Sequence, residues 1–120
     1  MKILIVDDSK AMRMIVKRTL RQAGFGDHEV VEAEDGQLGL VAAQAENPDL
    51  VLSDWNMPNM TGIEFLKALR ATGNETNFGF VTSESSAEMR AEAVGSGAMF
   101  LITKPFTADS FKAELGGVLD

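Results

Sequence analysis

The sequence predicts an α/β fold, a doubly wound, five-stranded parallel sheet with five helices. Three observations lead there. Short apolar runs rich in β-branched residues alternate with segments of helical period along the chain. The runs stop at polar or charged residues, and Gly, Pro or a capping side chain stands at the junctions. The 120 residues form a single domain, 1–120, with no repeat, linker or low-complexity tract.

The elements follow in order. Ile3 to Val6 is short and β-branched-rich, which suits a strand buried on both faces, and it stops at Asp7 and Asp8. From Ser9 to Ala23 the spacing turns helical: Met12, Ile15, Val16 and Leu20 share one face, and Lys10, Arg13, Lys17 and Arg21 form a basic stripe read as the solvated side. Gly24 ends this helix. A weaker strand is expected around Glu29 to Glu32, and stronger ones at Leu50 to Ser53, Phe80 to Thr82 and Phe100 to Thr103. Asp35 or Gly36 opens the second helix and Pro48 closes it; Thr61 caps the third, Ser85 or Ser86 the fourth and Thr107 the fifth. Right-handed crossovers between such βα units leave one parallel sheet with helices on both faces. Two local conflicts stand out. Gly79 sits where the fourth strand should begin, and Gly116-Gly117 falls in the last helix, where each glycine costs roughly 1 kcal/mol relative to alanine.

Composition excludes much. With 45% apolar and 24% charged residues the chain reads as a soluble globule, neither disordered nor fibrous. The absence of cysteine rules out disulfides, thiolate metal sites, Fe–S clusters and cysteine nucleophiles, and His28 alone cannot build a multi-histidine zinc site. The net charge of -7, from 11 basic against 18 acidic residues, argues against nucleic acid or anionic membrane and for a cationic partner or a metal ion. No apolar run approaches the ~20 residues that span a bilayer. Asp7 and Asp8 interrupt the region where a signal peptide would stay apolar, so a cytoplasmic protein without membrane insertion is expected.

In an open parallel sheet the binding crevice lies beyond the carboxyl ends of the strands. Those ends deliver Asp7 and Asp8 from the first strand, Asp54 from the third, Thr82 from the fourth, and Lys104 followed by Pro105 from the fifth. Like charges ~4 Å apart repel by about 4 kcal/mol at an effective dielectric near 20, so clustered carboxylates call for a cation. A hard divalent ion with oxygen ligands, Mg²⁺, answers best. Acidic residues often merely end strands in solvated loops; that accounts for one aspartate, not for Asp7, Asp8, Asp54 and Lys104 at matching ends.

The segments ILIVDDS at 3–9, DWNMPNMTG at 54–62, VTSE at 81–84 and KPF at 104–106 resemble the receiver domain of two-component response regulators, over the whole chain. The likeness is to the single-domain, CheY-type chemotaxis regulators, and it implies the flavodoxin-like strand order 2-1-3-4-5. It further implies that Asp54 is the phosphoacceptor, a carboxylate that attacks phosphohistidine and makes the chain a phosphoprotein. Asp8 would ligate Mg²⁺ directly and Asp7 directly or through water, with the backbone carbonyl of Asn56 as a further ligand beside Asp54. Lys104 would pair with Asp54 before transfer and with the phosphoryl group after it. Thr82 would hydrogen-bond a phosphoryl oxygen and draw the following loop inward, small Ser83 leaving room. Pro105 resembles the family's cis proline, which would turn the Lys104 ammonium into the site; sequence alone favours a trans proline starting helix five. Trp55 is expected to report optically on the metal site, and His28 to carry no chemistry.

The resemblance implies a histidine kinase or phosphotransfer protein as donor, and a flagellar motor switch or other output protein met through helix four, strand five and helix five. A monomer is expected. Six of the eleven basic residues (Lys2, Lys10, Arg13, Lys17, Arg18, Arg21) fall in the first 21 positions. In the family the first helix often meets the kinase or phosphotransfer partner, which makes the basic stripe a second candidate partner face beside its solvated reading.

One position departs from the pattern. Chemotaxis receivers usually carry Tyr or Phe three residues before the Lys-Pro pair, where this chain has Leu101, with Phe100 beside it on the opposite sheet face. The phosphoacceptor chemistry does not need that ring; its absence departs from the usual threonine–aromatic switch, on which the expectation of flagellar motor binding rests. A phosphate shuttle or sink without its own output partner is therefore the alternative. A Mg²⁺-dependent phosphohydrolase of the haloacid dehalogenase type fits less well, because it needs a second aspartate where Asn56 stands. The chain is expected to catalyse only its own phosphoryl transfer and dephosphorylation. Asn56 and Glu84, each two residues beyond Asp54 and Thr82, are the residue types of fast-cycling receivers.

Overall fold

The computed structural model describes residues 1–119. Along the chain run β1 (Lys2–Val6), α1 (Lys10–Gln22), β2 (Glu29–Ala33), α2 (Gly36–Glu46), β3 (Leu50–Ser53), α3 (Gly62–Ala71), β4 (Asn77–Thr82), α4 (Ala87–Gly95), β5 (Phe100–Thr103) and α5 (Ala108–Leu119). The strands pair in parallel in the order β2-β1-β3-β4-β5.

Alternation along each strand sorts the core into two layers. Ile3, Ile5, Leu50, Leu52, Phe100 and Ile102 pack with α1 and α5. Leu4, Val6, Val51, Phe78, Phe80 and Leu101 pack under α2, α3 and α4. Burial on both faces is why the inner strands read as unbroken apolar runs. Edge strand β2 exposes Glu29 and Glu32, and its pattern is correspondingly weak.

Caps fix the helix starts. Ser9, Asp35 and Ser86 each accept a backbone N–H from the first turn of α1, α2 and α4, and Thr61 with Glu64 forms a full capping box on α3. Thr107 Oγ1 accepts from Ser110 N at 3.2 Å at the start of α5.

Both glycine conflicts resolve through packing. Gly79 is the register neighbour of Phe100, whose ring occupies the space that a Cβ on Gly79 would take. The ring covers the bare backbone, and β4 therefore starts at Asn77, earlier than the apolar run from Phe80 indicates. Helix α5 continues through Gly116 and Gly117 because Phe111, Leu115 and Leu119 are buried on either side of them.

The basic stripe of α1 does not hold as one solvated side. Lys10 and Arg21 are exposed, but Arg13 is only 8% exposed, while Ile15, expected inside, is 40% exposed. The guanidinium finds acceptors at Asp7, just after β1, and at Glu32 on β2, so its aliphatic stem is buried and the apolar face rotates away from Ile15. Among the described residues, no helix is long and apolar enough to cross a membrane.

Candidate functional site

The parallel ladder extends one residue beyond the strands and so fixes the site's main chain. Asp7 N donates to Ala33 O at 3.1 Å, Asp54 N to Val6 O at 2.9 Å and Lys104 N to Thr82 O at 2.8 Å. Asp7, Asp54 and Lys104 are thereby held just beyond the ends of β1, β3 and β5, with β4 between the last two.

Their side chains converge. One carboxylate oxygen from each of Asp7, Asp8 and Asp54 lies within 4.8 Å of the others, with Asp7 buried, Asp54 half-buried and Asp8 exposed. Lys104 Nζ donates to Asp7 Oδ2 at 3.1 Å and to Asp54 Oδ2 at 3.3 Å. The second oxygens are held by main chain: Ser9 N donates to Asp7 Oδ1 at 2.9 Å and Trp55 N to Asp54 Oδ1 at 2.7 Å. Burial pushes the Asp7 carboxyl above the usual aspartate range, the Asp54 charge adding to it, while the Ser9 N–H and the Lys104 ammonium pull the other way. A cluster of carboxylate oxygens beside one ammonium, open to solvent on the Asp8 side, suits a hard divalent cation such as Mg²⁺, which takes oxygen ligands and keeps part of its water shell.

The loop after Asp54 is tied down on two sides. Gly62 N donates to Trp55 O at 2.7 Å, and α3 comes so close that a Cβ on Gly62 would collide with the Asp54 carbonyl oxygen. Asn59, in the left-handed region at φ 66°, donates through Nδ2 to Asp35 Oδ2 at 2.8 Å, and Gly36 N to Met60 O at 3.2 Å. The Asp35 carboxyl sits below its usual range, chiefly because Leu38 N and then Asn59 donate to it. Asn56, between these anchors, is exposed.

Thr82 ends β4 fully buried, its Oγ1 accepting from Glu84 N at 3.4 Å. The Lys104–Pro105 bond is cis, the form carried by the resemblance and not the one sequence alone favours. Trp55 is 8% exposed, with its ring 4.8 Å from that of Phe80. His28 precedes β2 at the opposite end of the sheet, its ring 6.4 Å from that of Phe25. Leu101 is buried and lines a cavity of about 410 Å³ between β5 and α5, together with Arg90, Phe106, Ser110 and Glu114.

Sequence reasoning missed two groups around the site: the Asp35–Asn59 link, and Arg13 with Glu32. Asp35 was legible only as a helix cap. The i, i+4 pair Arg13 and Lys17 opposite Glu32 on the neighbouring strand was the available signal for the other.

The model of the response regulator receiver domain matches residues 3–115. The chemotaxis protein CheY of Pseudomonas aeruginosa is 39% identical over 122 aligned positions, covering 100% of this chain and 97% of the relative. The chemotaxis protein CheY-3 of Vibrio cholerae is 41% identical, covering 100% and 92%. Among solved structures, the chemotaxis response regulator CheY4 of Vibrio cholerae superposes with a TM-score of 0.84 at 40% identity over 98% of each chain. The receiver domain of a LuxO-like repressor from Vibrio parahaemolyticus reaches a TM-score of 0.89 at 21% identity, covering 98% of this chain and 88% of that one, a likeness of fold alone.

Proposed function

Because the chain belongs to the response regulator receiver domain family, we propose that it accepts a phosphoryl group from a histidine kinase or phosphotransfer protein on Asp54 and thereby switches binding to another protein in chemotaxis signalling. The observation that carries this reading is the Lys104 ammonium shared by Asp7 and Asp54, with Asp8 completing an oxygen rim.

Asp54 supplies the nucleophilic oxygen. Its O–P bond forms as the P–N bond of the donor phosphoimidazole breaks, the electron pair leaving on the ring nitrogen. Asp7, Asp8, Asp54 and the Asn56 carbonyl would hold Mg²⁺. When bound, that ion offsets the charge of the phosphoryl oxygens in transfer and in hydrolysis. Lys104 keeps Asp54 oriented beforehand and pairs with the phosphoryl group afterwards. Thr82 then donates a hydrogen bond from its hydroxyl to a phosphoryl oxygen, drawing in the loop that leads to α4. The chain acts on itself and not on a released substrate, so it is a signalling protein and no enzyme in the ordinary sense.

Leu101 favours one second reading, a phosphate sink, because an aliphatic side chain cannot reproduce a swinging aromatic ring. Intact-mass measurement with a small phosphodonor and Mg²⁺ tests the main reading. One phosphate is expected on wild type and none on Asp54→Ala; a full phosphate on that variant removes Asp54 from its role.

A further inference from the structure

Within that reading of the site, we infer that Arg13 is a positioning residue for the metal-binding aspartates, gripping the peptide plane between Asp7 and Asp8, and that Glu32 serves as its anchor and counter-charge. Arg13 Nη1 donates to the Asp7 carbonyl oxygen at 2.6 Å and Nε to Glu32 Oε1 at 2.8 Å. Lys17 Nζ, one helical turn on, takes Glu32 Oε2 at 2.9 Å.

Position explains the effect. The Asp7 carbonyl and the Asp8 N–H lie in one rigid plane, so fixing that oxygen sets the direction in which the chain enters Asp8. Asp7 is otherwise held at its N–H by Ala33, at Oδ1 by Ser9 and at Oδ2 by Lys104. Arg13 supplies the one remaining contact, a short, charge-assisted one from a buried guanidinium. Asp8, the most exposed of the three carboxylates, has no such set of partners among the described residues, so its direction depends on the plane that precedes it.

Charge gives Glu32 its part. An unpaired guanidinium beside an acidic site would repel a divalent cation, and the Glu32 carboxylate cancels it. Lys17 and then Arg13 hold the Glu32 carboxyl below its usual range, so the counter-charge persists at neutral pH. A planar fork is needed, because the two acceptors are taken by different guanidinium nitrogens; an ammonium on the shorter lysine stem meets one of them.

The experiment titrates Mg²⁺ against Trp55 fluorescence. Arg13→Lys should weaken Mg²⁺ binding about tenfold, as outer contacts of metal sites do. This loss should persist at about 1 M salt, where charge effects are screened to roughly 3 Å. Glu32→Gln should weaken binding at low salt only, and Lys17→Met, which removes a positive charge while leaving both Arg13 contacts in place, should not weaken it. A merely structural arginine would lower the melting temperature and leave Mg²⁺ affinity within about twofold of wild type, the scatter below which an outer contact is not felt; that result overturns the inference. Should wild type itself ignore Mg²⁺, the metal reading fails, and the metal-free protein decides the role of Arg13. The Asp8 and Ser9 amide NMR shifts should then move in Arg13→Lys and not in Lys17→Met; unmoved amides overturn it.

Discussion

The Lys104 ammonium stands 3.1 Å from Asp7 Oδ2 and 3.3 Å from Asp54 Oδ2, so a single cation from β5 joins carboxylates from β1 and β3. The three side chains are 15%, 5% and 12% exposed, and a group so enclosed cannot recruit bulk solvent in place of a lost partner. Lys104→Met should therefore destabilise the metal-free protein by about 3 kcal/mol at neutral pH, read by urea unfolding. The deficit should shrink in acid as Asp7, whose carboxyl burial already pushes upward, takes its proton. An unchanged midpoint at neutral pH contradicts the role given to the ammonium.

Asp7 carries its own pH signature. Its folded-state pKa is raised, chiefly by burial, so the ionised form opposes folding. That opposition is absent below the unfolded value and develops as pH rises through the raised folded value. Asp7→Asn should thus melt higher than wild type without metal at neutral pH, and the advantage should vanish near pH 3, below the ordinary aspartate value of about 3.9. An advantage independent of pH would mean that burial of charge is not its source.

Metal binding has a direct optical test. Trp55 adjoins Asp54, and its backbone N–H donates to Asp54 Oδ1 at 2.7 Å, so a cation on that carboxylate shifts the main chain that carries the indole. Mg²⁺ should change Trp55 fluorescence in wild type, and Asp8→Asn should lose most of the response. A variant that titrates like wild type removes Asp8 from the ligand set.

Much of this arrangement is legible without coordinates. Strands buried on both faces announce themselves as apolar runs, and the residue ending each run is already at the rim; Asp7, Asp54 and Lys104 follow from that alone. The rest depends on partners distant in sequence. Gly79 reads as a flaw until Phe100, 21 residues on, is seen to cover it. Arg13 reads as solvated because helical periodicity counts its charge and not the acceptors that Asp7 and Glu32 bring to it. Asn59 belongs to a loop whose Pro and Gly content says turn, while its bond to Asp35 crosses 24 residues.

The Gly79–Phe100 fit makes a stability prediction. Gly79→Ala forces the methyl into the ring and should cost about 1–3 kcal/mol, the usual range for overpacking. Phe100→Ala should also destabilise, by loss of buried surface. Combining the two should cost less than their sum, since the methyl then has room. Strict additivity in denaturant unfolding would show that ring and glycine are not fitted to each other.

The last prediction concerns lifetime and output. Asn56 and Glu84 are both exposed, two residues beyond Asp54 and Thr82, and are the residue types of the fast-cycling receivers that the chain resembles. Self-dephosphorylation within about a minute is expected, a barrier near 20 kcal/mol on the transition-state scale, which suits a rapidly reversed signal. Leu101 has no ring to rotate. The signal should instead pass from Thr82, through the loop at 83–86, into α4 and the wall of the cavity that Leu101 lines with Arg90 and Glu114. NMR shift mapping with a phosphoryl mimic checks this: amides of α4 and β5 should move together with those around Asp54. If only the loops at Asp54 respond, no signal reaches that surface, and the chain acts as a phosphate sink in place of a switch.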